Sequence, residues 1–248
     1  MFKEFHYHVR GRGHVREGAP VQDRVRFISR GGVQVMCLAD GAGSAAHSAI
    51  GAQALVDEGC AVLADRFSEF AETTDGVALK MELLELLQAK LRNVATKHAV
   101  GVRDLASTFL CVAIADGKFI GMHVGDGVIG YVKSGELRLI SRPDNNEFAN
   151  QTTFVTSSRA VESARLFRGS LENVEGFILM SDGTADSLYD TRTGLLAPAC
   201  AKLIDAVSHA PASVSKNSKY RKRLKRFMDL KVRTATSDDC SIGVLGRR

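Results

Sequence analysis

Two kinds of apolar pattern divide the chain. Short, nearly continuous apolar runs bounded by Gly, Asp or Asn predict buried strands at residues 33–39, 107–115, 118–124, 128–132, 176–181 and 240–245. Residues 5–9 alternate, residues 21–28 precede the Gly31-Gly32 turn, and residues 164–169 add a further strand. Apolar positions at helical spacing predict the helices. One runs from an N-cap at Ser44 to about residue 67. A second covers about 77–100, with Leu79, Leu83, Leu86, Leu87, Leu91 and Val94 as its buried stripe. Two more cover 195–208 and 213–228. Runs of strands interrupted by paired helices predict an α+β fold of two packed antiparallel sheets flanked by helices. Residues 142–158 are polar and irregular.

Acidic turns close several of these apolar runs. They are Gln22-Asp23, Asp40-Gly41, Gly125-Asp126-Gly127, Asp182-Gly183 and Asp238-Asp239. Carboxylates brought together from distant strands repel one another unless cations neutralise them. Hard divalent cations with oxygen ligands fit such a cluster, which points to Mg²⁺ or Mn²⁺. Taken alone, an Asp-Gly pair is a turn or a helix cap. Asp116-Gly117 is assigned that way, as the hairpin turn between two predicted strands.

Composition narrows the classes. With 45% hydrophobic and 25% charged residues the chain has the balance of an ordinary globular protein. Four prolines and no low-complexity linker favour a single domain over residues 1–248. No apolar run is long enough to span a membrane, and the first residues lack the apolar core of a signal peptide. Five scattered cysteines read as small buried hydrophobes in a reducing cytoplasm. The net charge is +5, much of it in Lys216–Arg226. Tyr220, Leu224, Phe227 and Met228 share one helical face there, so the basic residues form the solvated face. The run lacks interleaved aromatics for base stacking, so no nucleic-acid partner is expected, and as a solvated helix face it is not read as a membrane surface either. Acidic or phosphorylated partners suit it better.

The order of the acidic turns, ending in Asp238-Asp239-Cys240-Ser241 before Ile-Gly-Val-Leu, resembles the metal-dependent type 2C protein serine/threonine phosphatases, and most closely their compact bacterial branch. The resemblance runs from about His14 to Leu245. It implies an αββα sandwich, with the segment 142–158 as the variable flap. It also implies a bimetal-activated water that hydrolyses phosphoserine and phosphothreonine, with two or three Mg²⁺ or Mn²⁺ ions. The metal ligands carried over are Asp23, Asp40, Gly41, Asp126, Asp182 and Asp238, with Asp40 and Asp182 central to catalysis. Asp239 is expected to support a ligand rather than to be one. The implied partner is a phosphorylated protein, the substrate of a cognate kinase in a signalling pathway; a monomer is the default expectation.

Three positions depart from the family pattern. Gly18 stands where relatives carry a phosphate-gripping Arg, so Arg16 and His14 are the candidates for that contact. Gln22 replaces a Glu, and Ala42 replaces a His that protonates the leaving group in some relatives. His14 is the leading candidate for the acid, with His47 and His123 behind it. The departures, in the first case, and the short polar flap, in the second, keep two alternatives open. One is a weak or inactive phosphatase-like module that binds phosphorylated partners or regulates a kinase. The other is a hydrolase for a small phosphoester.

Overall fold

The computed structural model describes residues 1–144, 152–211 and 218–248. In chain order its elements are β1 (Lys3–Val9), α1 (Arg12–Glu17), β2 (Arg24–Arg30), β3 (Val33–Ala39), α2 (Ser48–Asp65), α3 (Phe67–Glu72), α4 (Gly76–His98), β4 (Phe109–Ala115), β5 (Lys118–Val124), β6 (Val128–Lys133) and β7 (Glu136–Ser141). They continue with α5 (Ala160–Ser163), β8 (Arg165–Ser170), β9 (Val174–Met180), α6 (Asp182–Leu188), β10 (Tyr189–Asp190), β11 (Leu195–Leu196), α7 (Pro198–Ser208), α8 (Lys219–Phe227) and β12 (Cys240–Gly246). The α+β class expected from the sequence is the observed one: two main antiparallel sheets of five strands, each with its own helices.

The chain divides into two compact units. The first comprises Met1–Val21, Val128–Arg142 and Asn173–Arg248. Its sheet has the order β1-β12-β9-β6-β7, with Phe5 opposite Val244 and Ile242 opposite Met180. Phe5, Ile178, Met180, Ile242 and Val244 share a core with Leu203, Ile204 and Val207 of α7 and Leu224 of α8. The second unit comprises Gln22–Gly127 and Pro143–Glu172, with the sheet order β2-β3-β4-β5-β8. Its core joins Val35 and Cys37 of β3 and Cys111 and Ala113 of β4 to Leu55 of α2 and Leu79, Leu83, Leu84, Leu87 and Leu91 of α4. Strands β3, β4 and β12 are buried at every position, which is why they read as continuous apolar runs.

Several boundaries move. Ser44 is an exposed turn residue, and α2 begins four positions later, at Ser48. It ends at Asp65, and Phe67 opens the separate helix α3. Asp75 caps α4, its carboxylate accepting the N–H groups of Val77 and Ala78 at 2.9 and 3.0 Å. The buried stripe of α4 contains Leu84 where Leu86 was expected. The helix expected from residue 195 begins at Pro198, because Leu195–Leu196 pairs with Tyr189–Asp190 as a small ladder. The Asp116-Gly117 hairpin is as expected, with both residues at positive φ and Ala115 opposite Lys118. Part of the proposed flap and residues 213–217 of the last predicted helix lie outside the described residues.

Candidate functional site

The acidic turns fall in both units, and each group can be built from its own chain neighbours. In the second unit, Asp40 follows β3 where the backbone leaves the sheet. Its N–H donates to Thr108 Oγ1 at 2.9 Å, and the Thr108 N–H donates back to the Asp40 carbonyl at 2.8 Å. Gly41 forms a bridge to Ser107, and the Ala42 N–H donates to the Ala106 carbonyl at 3.0 Å. The strand exit is thereby zipped to residues 106–108, so the Asp40 carboxylate starts from a fixed backbone.

Asp126 follows β5 through Gly125, whose φ of +115° is open only to glycine among ordinary residues. A Cβ on Gly125 would lie 2.5 Å from Thr108 Cγ2. One threonine therefore bonds the Asp40 backbone with its hydroxyl and packs on the Asp126 turn with its methyl. Asp40 and Asp126 each offer a carboxylate oxygen, and these lie within 4.8 Å of one another. That spacing and all-oxygen chemistry fit a hard divalent cation. Asp126 also accepts a hydrogen bond from the Thr152 hydroxyl. Asp23 is fully buried immediately before β2, and the pairing of Arg24 with Ala39 puts it at the same end of the sheet as Asp40.

The first unit supplies the other group. Asp182 opens α6, where a carboxylate complements the helix dipole, and its Oδ1 accepts the Gly183 N–H at 2.6 Å. Gly183 lies against the loop that precedes β12; a Cβ there would sit 2.2 Å from the Asp239 carbonyl oxygen. That loop also receives the short helix α1. The Gly13 N–H donates to the Ser237 carbonyl at 2.7 Å, and the Gly11 N–H donates to Asp239 Oδ1 at 2.7 Å. The two adjacent aspartates consequently differ. The Asp239 side chain is 1% exposed and the Asp238 side chain 46% exposed. His14 spans both: its Nδ1 lies 2.9 Å from Asp239 Oδ1 and its Nε2 lies 4.0 Å from Asp238 Oδ1. Arg16, two residues on, is exposed and makes no ion pair among the described residues.

The other two histidines fare differently. His123 is fully buried in β5, with Arg165 Nη2 3.2 Å from its Nδ1. Burial, and then the positive charge of Arg165, hold its pKa well below the usual value, against an opposing backbone contact with Gly125. A buried imidazole that is neutral at ordinary pH has no proton to give, so His123 is removed as an acid candidate. His47 stands immediately before α2 and makes no side-chain cap.

Sequence reasoning missed Thr108 and the Asp239–His14 contact. The only local signal for the second was Gly11-x-Gly13 immediately before His14, two residues able to let a short helix lie close to another backbone.

Comparison with known proteins follows the same lines. The protein phosphatase 2C family pattern matches residues 10–229. Serine/threonine-protein phosphatase 3 of Escherichia coli strain K12 is 31% identical over 131 residues. That match covers 52% of this chain and 51% of the relative, so the chain spans about half of that relative's length. Among solved structures, a bacterial serine phosphatase is similar with a TM-score of 0.68 at 15% identity, covering 100% of this chain and 98% of that one. The serine/threonine phosphatase of S. agalactiae gives a TM-score of 0.67 at 16% identity, with 100% of both chains covered. Stp1 of Staphylococcus aureus gives 0.64 at 15% identity, covering 100% and 96%. At these identities the likeness is one of fold.

Proposed function

The chain belongs to the protein phosphatase 2C family, and from that premise we propose that it hydrolyses phosphoserine and phosphothreonine in proteins with the help of two or three Mg²⁺ or Mn²⁺ ions. Asp40 and Asp126 of the second unit and Asp182 of the first are the carboxylates that would hold these ions, with Gly41, Asp23 and Asp238 completing the set. The observation that carries the reading is the Asp40–Asp126 pair, two carboxylates fixed within 4.8 Å by a shared threonine. Such a pair is repulsive without a cation between its members.

Divalent cations held there would lower the pKa of water and neutralise phosphoryl oxygens. The chain's own residues do the rest. Asp40 and Asp182 orient the attack, each anchored through its own or its neighbour's backbone N–H. Asp239, buried and held by the Gly11 N–H, faces Nδ1 of His14 and so leaves the Nε2 edge for the phosphate or the leaving oxygen, to which only the imidazolium form would donate. Arg16, exposed on the same short helix, offers a guanidinium to the phosphate. The whole chain serves as one phosphatase domain, acting as a monomer in the cytoplasm on the substrates of a partner kinase in signalling. Five free, buried cysteines suit a reducing compartment, and no helix among the described residues is long and apolar enough to cross a membrane.

The test is release of phosphate from a phosphothreonine peptide with EDTA, Mg²⁺ or Mn²⁺, alongside Asp40→Asn. Metal-dependent release that disappears in the variant is the expected result. Full activity in Asp40→Asn would refute the ligand assignment, and metal binding without release from any phosphopeptide would favour a binding module.

A further inference from the structure

Helix α8 carries charge that its fold does not use. The segment 219–233 contains eight Lys and Arg residues against one carboxylate, Asp229. Its net +7 exceeds the +5 of the whole chain, so the protein's basicity is concentrated there. The inward side of α8 is accounted for. Leu224 lies in the core, with Tyr220 and Phe227 packed against it. Arg221 is only 7% exposed; its Nη1 donates to Glu4 Oε1 at 2.8 Å and its guanidinium lies 5.5 Å from the centre of the Phe5 ring. Lys225 sits 5.1 Å from the centre of the Tyr7 ring.

The outward side has no such role. Lys219, Lys222, Arg223 and Arg226 are exposed at helical spacing i, i+3, i+4 and i+7, which makes one continuous ridge. None of the four makes an ion pair among the described residues. Like charges three and four positions apart oppose each other on a helix, and a lysine in the first turn opposes the helix dipole. No acidic residue stands in that first turn. The ridge therefore costs the isolated helix stability and contributes nothing to the core. An anionic partner reverses both effects.

We propose that the Lys219-Lys222-Arg223-Arg226 ridge docks an acidic segment of the phosphoprotein substrate, alongside the phosphorylated residue that is hydrolysed. The proposal rests on the phosphatase reading above for the identity of that partner. A protein segment is favoured over nucleic acid because the ridge has no aromatic side chain on which bases would stack.

The experiment compares wild type with the quadruple variant Lys219→Gln/Lys222→Gln/Arg223→Gln/Arg226→Gln. Glutamine keeps helix propensity while removing the repulsion, so the variant should fold, as circular dichroism would verify. Two phosphothreonine peptides serve as substrates, one flanked by Glu and Asp and one by neutral residues. In the variant, KM for the acidic peptide should rise about tenfold. The neutral peptide should be hydrolysed as before. In wild type alone, added salt should raise KM for the acidic peptide. Equal effects on both peptides, or none, overturn the proposal. Binding of a labelled oligo-glutamate peptide by fluorescence anisotropy provides a readout independent of turnover. If it binds wild type and not the variant while neither hydrolyses phosphopeptide, the docking surface stands and the phosphatase reading falls. Tighter binding of duplex DNA or of anionic vesicles than of oligo-glutamate, lost in the same variant, overturns the assignment of the occupant.

Discussion

Thr108 is the residue whose replacement most directly tests how the second unit holds its acidic turns. Thr108→Val is nearly isosteric: it keeps a methyl group against Gly125 and deletes only the hydroxyl that accepts the Asp40 N–H at 2.9 Å. Thr108 is 2% exposed. Losing that acceptor costs about 1–3 kcal/mol, toward the lower end because Asp40 is only half-buried. Taking ~1.5 kcal/mol, the melting temperature should fall by ~3–6 °C in a chain of this size. The larger effect is on metal affinity. A group that fixes a ligand from behind is worth about 10–100-fold in binding, so Thr108→Val should weaken Mn²⁺ binding by at least about tenfold.

Thr108→Ser is the control. It keeps the acceptor and removes the methyl group against Gly125, at a packing cost of ~1 kcal/mol. The two variants should thus melt at similar temperatures in EDTA and differ in affinity, with the serine form close to wild type. Calorimetric titration with Mn²⁺ and thermal melts in EDTA read the two effects separately. Wild-type affinity in the valine form, or an equal loss in both, would refute the idea that the hydroxyl positions Asp40.

Three further outcomes are expected. Arg221→Met should cost about 2–3 kcal/mol by stripping Glu4 of its buried partner. The same change moves acid unfolding. Burial pushes the Glu4 pKa up, but the His6 hydrogen bond and the Arg221 charge outweigh it and hold the pKa below its usual value. The resulting stabilisation is present above the unfolded value of about 4.3 and fades as pH falls through the folded one, so losing Arg221 should shift the acid midpoint in urea melts to higher pH. His14→Gln and Arg16→Gln should raise KM for phosphopeptide more than they lower kcat, and unchanged kinetics in both would place phosphate recognition elsewhere. His123, held neutral when folded, takes up a proton on unfolding once pH drops below about 6.5. Stability in EDTA should therefore decline toward pH 5 by up to roughly 1.4 kcal/mol per pH unit more in wild type than in His123→Leu, and identical pH slopes would overturn that account.

Most of the sheet framework was legible because a strand buried on both faces leaves a continuous apolar run that a loop or an amphipathic helix does not. The elements that escaped share one physical trait, which is that other parts of the chain stabilise them. Strand β7 is an edge strand with Glu136 and Arg138 facing solvent, and its main signal was the Ser134-Gly135 turn, both residues at positive φ. Helix α1 has six residues, one of them glycine after its Gly11 cap, and persists through bonds to Ser237 and Asp239. Helix α6 opens with Asp182-Gly183, which reads as a turn until the close approach to Asp239 is seen. Ser44 had the chemistry of a cap but not the position, since residues 42–47 first turn against Ala106 and Asp104 through backbone hydrogen bonds.

The acidic residues themselves were readable, because an Asp at the mouth of a buried strand is conspicuous. Their supports were not, and the reason is separation along the chain. Thr108 lies 68 positions from Asp40, and Asp239 lies 228 positions from Gly11. No local pattern marks a threonine as the partner of a distant backbone amide. The Asp238-Asp239 pair makes the limit sharpest: two identical neighbours, one 46% and one 1% exposed, separated in role only by the direction each side chain takes as the chain enters β12. Residue type alone treats both alike, and only the family resemblance led Asp239 to be expected as a support rather than a ligand. Orientation leaves Asp238 as the carboxylate open to a ligand and commits Asp239 to the Gly11 amide and the His14 ring. The same contact gives the departures from the family pattern a physical reading. In the proposed phosphatase, which has no arginine at position 18, the imidazole of the short helix α1 would take that place, with the buried Asp239 carboxylate 2.9 Å behind its Nδ1.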